Sequence, residues 1–276
     1  MLKLMYITNR TDIALIAEQA GVDRIFIDME YIGKAIRQGG MDTVQSHHTT
    51  EDVRHLRSVI HKSQLLVRCN PIHAATREYC SSEEEIEEVI KSGADIIMLP
   101  YFKTVKEVSR FLEIVNGRVK TLPLVETPEA VSLIDEILAL NGIDEIYIGL
   151  NDLSLGYHKK FMFELLADGT VERLCCKFRG CGIPYGFGGI AGIGKGMLPA
   201  EMIIREHYRL GSTCAILSRS FCDVNKLQNI DVIRETFIQG IKQIRSVERE
   251  CLQYISYFTD NEREVAEKVR LICGRT

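Results

Sequence analysis

The chain has 276 residues, of which 46% are hydrophobic and 26% are charged, and its formal net charge is −4 at pH 7. This composition is ordinary for a globular protein, and a weakly acidic chain without basic runs gives no electrostatic basis for binding nucleic acid or an anionic membrane. No apolar run approaches the roughly 20 residues of a membrane-spanning helix, and the N-terminal segment lacks the features of a signal peptide, so we expect a cytoplasmic protein.

Short apolar runs alternate along the chain with segments of helical periodicity. The apolar runs, which predict strands, are LMYIT (4–8), RIFID (24–28), LLVR (65–68), DIIMLP (95–100), TLPLVE (121–126), EIYIGL (145–150), IPYGFG (183–188) and TCAILSRS (213–220). Continuous apolar strands that alternate with helices predict a parallel sheet covered on both faces. Eight such units predict a closed (β/α)8 barrel.

An open doubly wound sheet is the alternative architecture. It requires a phosphate-binding glycine loop after the first strand, and ITNRTD is not such a loop. The glycine-rich stretch GFGGIAGIGKG, at 186–196, comes too late in the chain for this role. We therefore predict one (β/α)8 barrel over residues 1–228. C-terminal helices near 229–255 and 260–274 would pack on the barrel or exchange with a partner subunit.

The segment 229–255 predicts an oligomer. Its apolar stripe consists of Ile230, Val232, Ile233, Phe237, Ile241, Ile244, Val247, Cys251 and Ile255. A helix of this length spans roughly 40 Å, about twice what the last helix of a barrel needs. We expect the surplus stripe to be buried against another subunit, since an exposed stripe of this length favours aggregation. The chain is therefore predicted to form a homo-oligomer.

Two carboxylates follow neighbouring predicted strands. Glu126 ends strand five, and Thr127 and Pro128 already supply the N-cap and first residue of the next helix. Asp152 follows strand six, and adjacent strands lie about 4.8 Å apart, so the two carboxylates can reach one point. There they would repel unless they shared a proton or a cation, and oxygen ligands suit Mg²⁺ or Mn²⁺. The alternative is local: Asp152 caps the turn NDLSLG and Glu126 pairs with Arg68.

Arg68 closes an otherwise apolar strand and therefore needs an anionic partner. That partner is Asp28 or Glu30 at the end of strand two, or it is a substrate carboxylate or enolate, which a guanidinium fork suits. The two interpretations are compatible, because one face of the guanidinium can be held by protein while the other binds ligand.

The glycine-rich stretch and the end of strand eight predict a candidate anion site. In barrels of this type, the loops after strands seven and eight often bind phosphate. The candidate residues are Gly188, Gly189, Lys195, Ser218 and Arg219. A bound anion would indicate a phosphorylated or carboxylated second substrate, such as a sugar acid. The alternative is a lid or a turn-rich crossing without a ligand.

The succession FIDME, VRCNP, PLVETPEAV and GIDEIYIGLNDLS resembles the HpcH/HpaI aldolase and citrate lyase beta-subunit superfamily of pyruvate/phosphoenolpyruvate-type barrels, over about residues 11–220. The resemblance implies a metal-dependent (β/α)8 barrel that forms or cleaves carbon–carbon bonds next to pyruvate-like or acyl units. It also implies an oligomer with exchanged C-terminal helices.

The same resemblance implies roles for individual residues. Glu126 and Asp152 would hold the divalent metal, and Arg68 would contact the keto oxygen and stabilise the enolate. The remaining implied positions are the backbone of Gly149, Leu150 and Asn151, which would receive the substrate carboxylate, and the acidic pair Asp28 and Glu30 beside Arg68 and metal-bound water.

The chain departs from the aldolase pattern at the proton-handling residue. Aldolases of this superfamily have a histidine where this chain has Tyr31, and the ordinary pKa of tyrosine, near 10, is too high for an easy base. His47 or His48, in the predicted loop 31–48, is a possible substitute. We favour the simpler interpretation, a solvated loop that leads to a capping Thr49 or Thr50.

We predict a divalent-metal-dependent lyase or aldolase that acts through the enolate of a 2-keto acid such as pyruvate or oxaloacetate, with an acceptor that the sequence does not identify. Cleavage beta to a ketone leaves an enolate, which a metal and Arg68 would stabilise. No predicted strand end offers a lysine for Schiff-base chemistry. The alternatives are a barrel that binds a keto acid or sugar acid without catalysis, and phosphoenolpyruvate-type phosphoryl chemistry.

Overall fold

The computed structural model describes residues 1–34, 47–253 and 257–274. Its strands are all parallel and close into a barrel in chain order, with the last strand paired to the first. They are β1 (Lys3–Ile7), β2 (Arg24–Asp28), β3 (Gln64–Arg68), β4 (Ile96–Leu99), β5 (Lys120–Val125), β6 (Ile146–Ile148), β7 (Tyr185–Ile190) and β8 (Cys214–Leu217). The predicted (β/α)8 barrel is confirmed, and each strand overlaps the apolar run that predicted it.

Helices follow the strands and cover the barrel. They are α1 (Thr11–Ala20), α2 (Thr50–Val59), α3 (Ser82–Lys91), α4 (Val105–Val115), α5 (Pro128–Ser132), α6 (Ile134–Leu138), α7 (Leu150–Gly156), α8 (Glu164–Ala167), α9 (Thr170–Gly180), α10 (Ala200–Leu210), α11 (Ile230–Gln253) and α12 (Phe258–Gly274). Thr49 caps α2, and Thr127 caps α5 with Pro128 as its first residue. Among the described residues, no helix combines the length and apolarity needed to cross a bilayer.

Alternation along the strands divides the apolar side chains between two cores. In β2, for example, Phe26 points into the barrel, whereas Ile25 and Ile27 point outward to the helices. The barrel interior is filled by Met5, Phe26, Leu66, Ile96, Met98, Leu122, Leu124, Tyr147 and Cys214. Because these side chains fill the interior of the barrel, a ligand can bind only at one of its ends.

A buried ion pair stands at the N-terminal end of the barrel. Arg24, the first residue of β2, donates to Glu145 over 2.6 Å, and the two side chains are 0% and 4% exposed. Gln64 accepts a second hydrogen bond from Arg24 over 3.2 Å. The guanidinium therefore depends on Glu145 as its buried anionic partner.

The C-terminal helices pack on the barrel helices of their own chain. α11 lies against α1 and α10, and α12 lies against α8 and α10. The stripe residues of α11 that this packing buries are Ile233, Phe237, Ile241, Ile244, Val247 and Cys251. Val232 is exposed, and Ile255 lies outside the described residues. The expectation that one chain leaves the stripe uncovered was wrong, so the predicted homo-oligomer stays a prediction that rests on the family resemblance alone.

We expect Glu145→Gln to lower the free energy of unfolding by about 3 kcal/mol, because it leaves the Arg24 guanidinium buried without an anionic partner. The measurement is urea unfolding followed by circular dichroism. Arg24→Met combined with Glu145→Gln is expected to be more stable than Glu145→Gln alone. Arg263→Met, which breaks an exposed pair with Asp260, is the control and should change stability by less than about 1 kcal/mol. A loss in Glu145→Gln no larger than in this control would contradict the assignment.

Candidate active site

A cavity of about 620 Å³ opens at the C-terminal ends of the strands. This is the end at which the loops of such barrels converge and where their active sites lie. The sequence-predicted residues that line it are Asp28, Arg68, Glu126, Gly149, Leu150, Asn151, Asp152, Gly188, Gly189 and Arg219. The structure thus brings most of the predicted site residues, from the ends of six different strands, around one cavity.

Arg68 is held by the acidic pair that ends β2. Asp28 and Arg68 are register partners on adjacent strands, and Arg68 donates from Nε and Nη2 to the two carboxylate oxygens of Asp28, each over 2.8 Å. Glu30 lies 3.4 Å from Arg68 Nε. Burial alone would lower the pKa of Arg68, but the charges of Asp28 and Glu30 raise it. The guanidinium therefore stays charged, with its orientation fixed by protein, and it faces the cavity.

Lys34 is a site residue that the sequence interpretation missed. Its ammonium lies 2.7 Å from Asp28 and 3.4 Å from Glu30, and its side chain is 5% exposed. Although burial acts to raise the pKa of Asp28, the charges and hydrogen bonds of Arg68 and Lys34 hold it well below its usual value. The only signal in the sequence is a lysine four residues after Glu30, since Lys34 follows the strand end rather than forming it.

Glu126 is oriented by two backbone segments. The N–H of Tyr101, a residue with a left-handed φ of 47°, donates to Glu126 Oε1 over 2.9 Å. Such a backbone conformation is uncommon for a tyrosine and is often found at functional sites. On the other side, a Cβ at Gly149 would lie 2.7 Å from Glu126 Oε2, so the carboxylate occupies the space that a side chain at position 149 would need. Glu126 is thus confined between β4 and β6.

Among the described residues, the surroundings of Glu126 disfavour its charged form. Burial, followed by the charges of Glu30 and Asp152, raises the pKa of Glu126 well above its usual value, and Arg68 offsets only part of this. The local alternative, in which Glu126 is simply the ion-pair partner of Arg68, does not describe the site, because Arg68 has its closest ion pair with Asp28. A cation close to Glu126 and Asp152 would remove the repulsion between them.

A divalent metal fits this set of donors. Asp152, in the first turn of α7, is 7% exposed and lines the cavity with Glu126. In the part of the chain that the structure describes, no group of three or more His, Cys, Asp or Glu side chains could hold a metal. Mg²⁺ commonly takes one or two carboxylates and completes its coordination with substrate and water. Glu126 and Asp152 suit this open type of site rather than a closed one.

The backbone segment expected to receive a substrate carboxylate is placed only in part as predicted. Gly149, Leu150 and Asn151 line the cavity, and Leu150 and Asn151 begin α7. However, the N–H of Gly149 donates to the carbonyl of Val125 over 3.0 Å, so it is committed to the sheet. Amides in the first turn of a helix have no intrahelical acceptor. Binding of a substrate carboxylate stays a prediction for the N–H groups of Leu150 and Asn151, whereas Gly149 gives Glu126 room.

The predicted anion site is not assembled as expected. Gly188 and Gly189 belong to β7 rather than to a loop, and with Arg219 they line the cavity. Lys195 and Ser218 are not among the lining residues, and the Lys195 side chain lies beside Gly192. The glycine-rich sequence has a packing explanation at Gly186, where a Cβ would lie 2.3 Å from the carbonyl oxygen of Cys214 on β8. Only Arg219 retains a charge at the cavity from the predicted set.

Tyr31 and the two histidines occupy different surroundings. Tyr31 does not line the cavity, and its ring centroid lies 5.3 Å from that of Tyr79. Burial and the charge of Glu85 raise the pKa of Tyr31, which makes it a still poorer base. His47 and His48 both line the cavity. Thr49 caps α2 as predicted, but the interpretation of a purely solvated loop was wrong at His48, which is half-buried.

We expect Gly149→Ala to weaken divalent metal binding by about 10- to 100-fold, a loss typical when a ligand is displaced indirectly. The φ of −84° at Gly149 is open to alanine, so the effect comes from the clash with Glu126 rather than from backbone strain. Calorimetric titration with Mn²⁺ measures it. Gly180→Ala is the matched control, because a Cβ there meets nothing within 4 Å. Equal Mn²⁺ affinity in both variants would contradict the proposed position of Glu126.

Comparison with solved structures shows proteins of similar fold. The fold is similar to an HpcH/HpaI aldolase/citrate lyase family protein from Burkholderia cenocepacia J2315, with a TM-score of 0.60, 16% identity, and coverage of 88% of this chain and 95% of that one. An HpcH/HpaI aldolase from Desulfitobacterium hafniense DCB-2 gives a TM-score of 0.58 and 17% identity, with coverage of 88% and 93%. Citrate synthase SbnG gives 0.56 and 17%, with coverage of 79% and 85%.

No curated protein sequence gives a significant match. A sequence model of one family, HpcH/HpaI aldolase/citrate lyase, matches residues 3–168, which is more than half of the chain. The strand ends that carry Asp28, Arg68, Glu126 and Asp152 all lie within this match. The chain belongs to the HpcH/HpaI aldolase/citrate lyase family.

Proposed function

We propose that the protein is a divalent-metal-dependent carbon–carbon lyase or aldolase that acts through the enolate of a 2-keto acid such as pyruvate or oxaloacetate. The observation that carries this proposal is that a fixed, charged guanidinium shares one cavity with two acidic side chains, one of which, Glu126, has a raised pKa. Arg68 is held by Asp28 and Glu30, and Glu126 and Asp152 line the same cavity. This arrangement offers positive charge where an enolate oxygen would form.

The donor atoms at the strand ends suit a divalent ion. The acidic side chains there are Asp28, Glu30, Glu126 and Asp152, all at most 7% exposed. Arg68 and Lys34 form ion pairs with Asp28 and Glu30. Glu126 and Asp152 would hold Mg²⁺ or Mn²⁺, which when bound supplies Lewis-acid stabilisation of negative charge on substrate oxygens. The cavity also has room for a small keto acid and a second reactant.

Arg68 performs the protein's own part of enolate stabilisation. A guanidinium that is already oriented and charged needs no reorganisation when negative charge develops on the keto oxygen. Asp28 and Glu30 are positioning residues, because they hold the guanidinium from the side away from substrate. The Leu150 and Asn151 amides, at the start of α7, would orient the substrate carboxylate.

Lys34 does not favour the Schiff-base route. A lysine that attacks a keto carbon must leave its ion pairs, and the Lys34 ammonium lies within 3.4 Å of two carboxylates. Lys34 therefore acts as a counter-ion to the acidic pair. Sodium borohydride with pyruvate distinguishes the two routes, because it traps a covalent adduct only in a Schiff-base enzyme.

The structural neighbours are consistent with carbon–carbon chemistry, since two are HpcH/HpaI family proteins and one is described as a citrate synthase. At 16–17% identity this likeness concerns the fold, and the substrate proposal rests on the residues of the cavity. A non-catalytic keto-acid-binding barrel is the competing explanation, because Tyr31 replaces the family histidine. The tests below separate the two explanations.

Glu126→Gln and Asp152→Asn are each expected to abolish Mn²⁺ binding in calorimetric titrations, because an amide oxygen lacks the charge that holds the ion. Both substitutions preserve side-chain size, so circular dichroism should report an unchanged fold. Glu113→Gln, on the exposed face of α4, is the control and should bind like the wild-type protein. Unchanged affinity in both site variants would refute the metal assignment.

An enolate-forming enzyme exchanges the methyl hydrogens of pyruvate with solvent, whereas a pure binder does not. We expect the wild-type protein with Mg²⁺ to catalyse this exchange in D₂O, as followed by ¹H NMR. Arg68→Lys should slow it by about 100-fold, because the fork that contacts both Asp28 and the developing oxyanion is lost. Arg263→Lys, on the exposed surface of α12, should leave the rate unchanged. Absence of exchange in the wild-type protein would favour the non-catalytic alternative.

A further inference from the structure

His48 enters the cavity from the connection between β2 and α2, and it belongs to no strand end. Its side chain is half-buried and lines the cavity with Asp28, Lys34 and Arg68. The imidazole Nδ1 accepts a hydrogen bond from the backbone N–H of Asp28 over 3.0 Å. The ring is thereby fixed to the end of β2, directly beside the residue that orients Arg68.

This hydrogen bond determines the tautomer of His48. A backbone N–H is always a donor, so the ring atom that faces Asp28 must be a nitrogen without a proton. In the neutral imidazole the other nitrogen then carries the proton, which places it on Nε2. His48 is consequently a hydrogen-bond donor at Nε2, and its one unprotonated nitrogen is engaged by the backbone.

The surroundings of His48 favour the neutral ring. Burial lowers its pKa below the ordinary value of 6.5. Among the described residues, the charged and titratable groups that face it are Asp28 and Asp52, which act to raise the pKa, and Lys34 and His47, which act to lower it. Protonation would also break the hydrogen bond from Asp28, because Nδ1 would become a donor facing a donor. At neutral pH the ring therefore carries no charge.

On the basis of the proposed function, we propose that neutral His48 donates its Nε2–H to the oxygen of the second substrate, a carbonyl acceptor, where negative charge develops as the enolate carbon adds. The new carbon–carbon bond forms at the acceptor carbon, and the electron pair of its C=O bond moves to oxygen. Solvent supplies the proton that converts this alkoxide to a hydroxyl group. His48 keeps its own proton throughout, and in the cleavage direction the same steps run in reverse.

This assignment accounts for the departure at position 31. Tyr31 lies outside the cavity, and the structure offers an imidazole from a different element, the segment before α2. In this role the His48 imidazole donates a hydrogen bond. It does not accept a proton, so its role differs from that of a base. His48 would thus act on the second substrate, whereas Arg68 acts on the enolate.

Two substitutions at position 48 distinguish the hydrogen bond that Nδ1 accepts from Asp28 from the hydrogen bond that Nε2 would donate to the substrate. Asparagine can place its amide oxygen near the position of Nδ1 and still accept from Asp28, but it has no donor near Nε2. Glutamine can place an amide N–H near Nε2. His55→Asn is the matched control, because His55 lies on the outer face of α2 with its side chain 63% exposed. His47→Asn tests whether the neighbouring histidine is the relevant one.

The measurements are methyl exchange of pyruvate, which involves no acceptor, and condensation of pyruvate with glycolaldehyde or glyoxylate, both with Mg²⁺. We expect His48→Asn to lower kcat/KM for condensation by about 100-fold, the usual cost of one oxyanion donor, and to leave exchange unchanged. His48→Gln should recover part of the loss, and His55→Asn should lose nothing.

Each other result overturns the inference in a distinguishable way. Unchanged condensation in His48→Asn, or the same loss in His47→Asn, removes the role of His48 but leaves the proposed function intact. An equal loss of exchange and condensation would make His48 a base. Exchange without condensation of either aldehyde in the wild-type protein also overturns it, because no acceptor oxygen is then engaged. Absence of exchange in the wild-type protein would instead refute the proposed function.

A spectroscopic measurement tests the donor state without turnover. The ¹⁵N chemical shifts of the His48 ring should report the neutral Nε2–H tautomer at pH 7, with protonation only below the ordinary histidine range. His55 provides the reference in the same spectrum. A protonated ring, or an Nδ1–H tautomer at pH 7, would overturn the inference whatever the enzyme's activity.

Discussion

Repulsion among buried carboxylates is the constraint on which the rest of the site depends. Four acidic groups lie at the C-terminal ends of the strands, and water is largely excluded from them. Different groups offset this repulsion on the two sides of the barrel. Beside β2 and β3 the protein supplies its own cations, Arg68 and Lys34. Beside β5 and β6, among the described residues, burial and the charges of Glu30 and Asp152 raise the pKa of Glu126, and Arg68 offsets only part of this. The ion pairs beside β2 and β3 fix Arg68, and we propose that the carboxylates beside β5 and β6 hold an external ion.

The fold provides the positions of these charges through register and backbone direction. Parallel pairing sets Asp28 across from Arg68, so the ion pair costs little side-chain entropy to assemble. The Tyr101 N–H and the missing side chain of Gly149 limit Glu126 from two other strands. Each charged group is thus held by a regular element or by backbone, and rigid support of this kind is what electrostatic stabilisation of an enolate requires. The loops contribute mainly at the rim.

Local sequence was sufficient wherever a residue's role follows from its strand. The period of the apolar runs predicted the barrel, and polar residues at strand ends predicted Arg68, Glu126 and Asp152. Prediction failed where tertiary packing decides. The stripe of α11 is covered by α1 and α10, which no property of the stripe itself reveals. The glycine-rich stretch was interpreted as a candidate anion site, whereas Gly186 within it allows β7 to approach β8. Lys34 and His48 were missed or discounted, because they reach the cavity from outside the strands.

The location of His48 has a consequence for how such a site changes in evolution. A residue at a strand end is tied to the register of its neighbours, and its replacement disturbs the packing of the sheet. A residue in the segment before α2 takes no part in strand pairing, and α2 begins with its own capping box. Under the proposed function, a replacement of His48 would change reactivity toward the second substrate, while Arg68 and its acidic partners stay in place. Residues at the strand ends and residues in the segment before α2 lie in different parts of the chain, so the two groups can change independently.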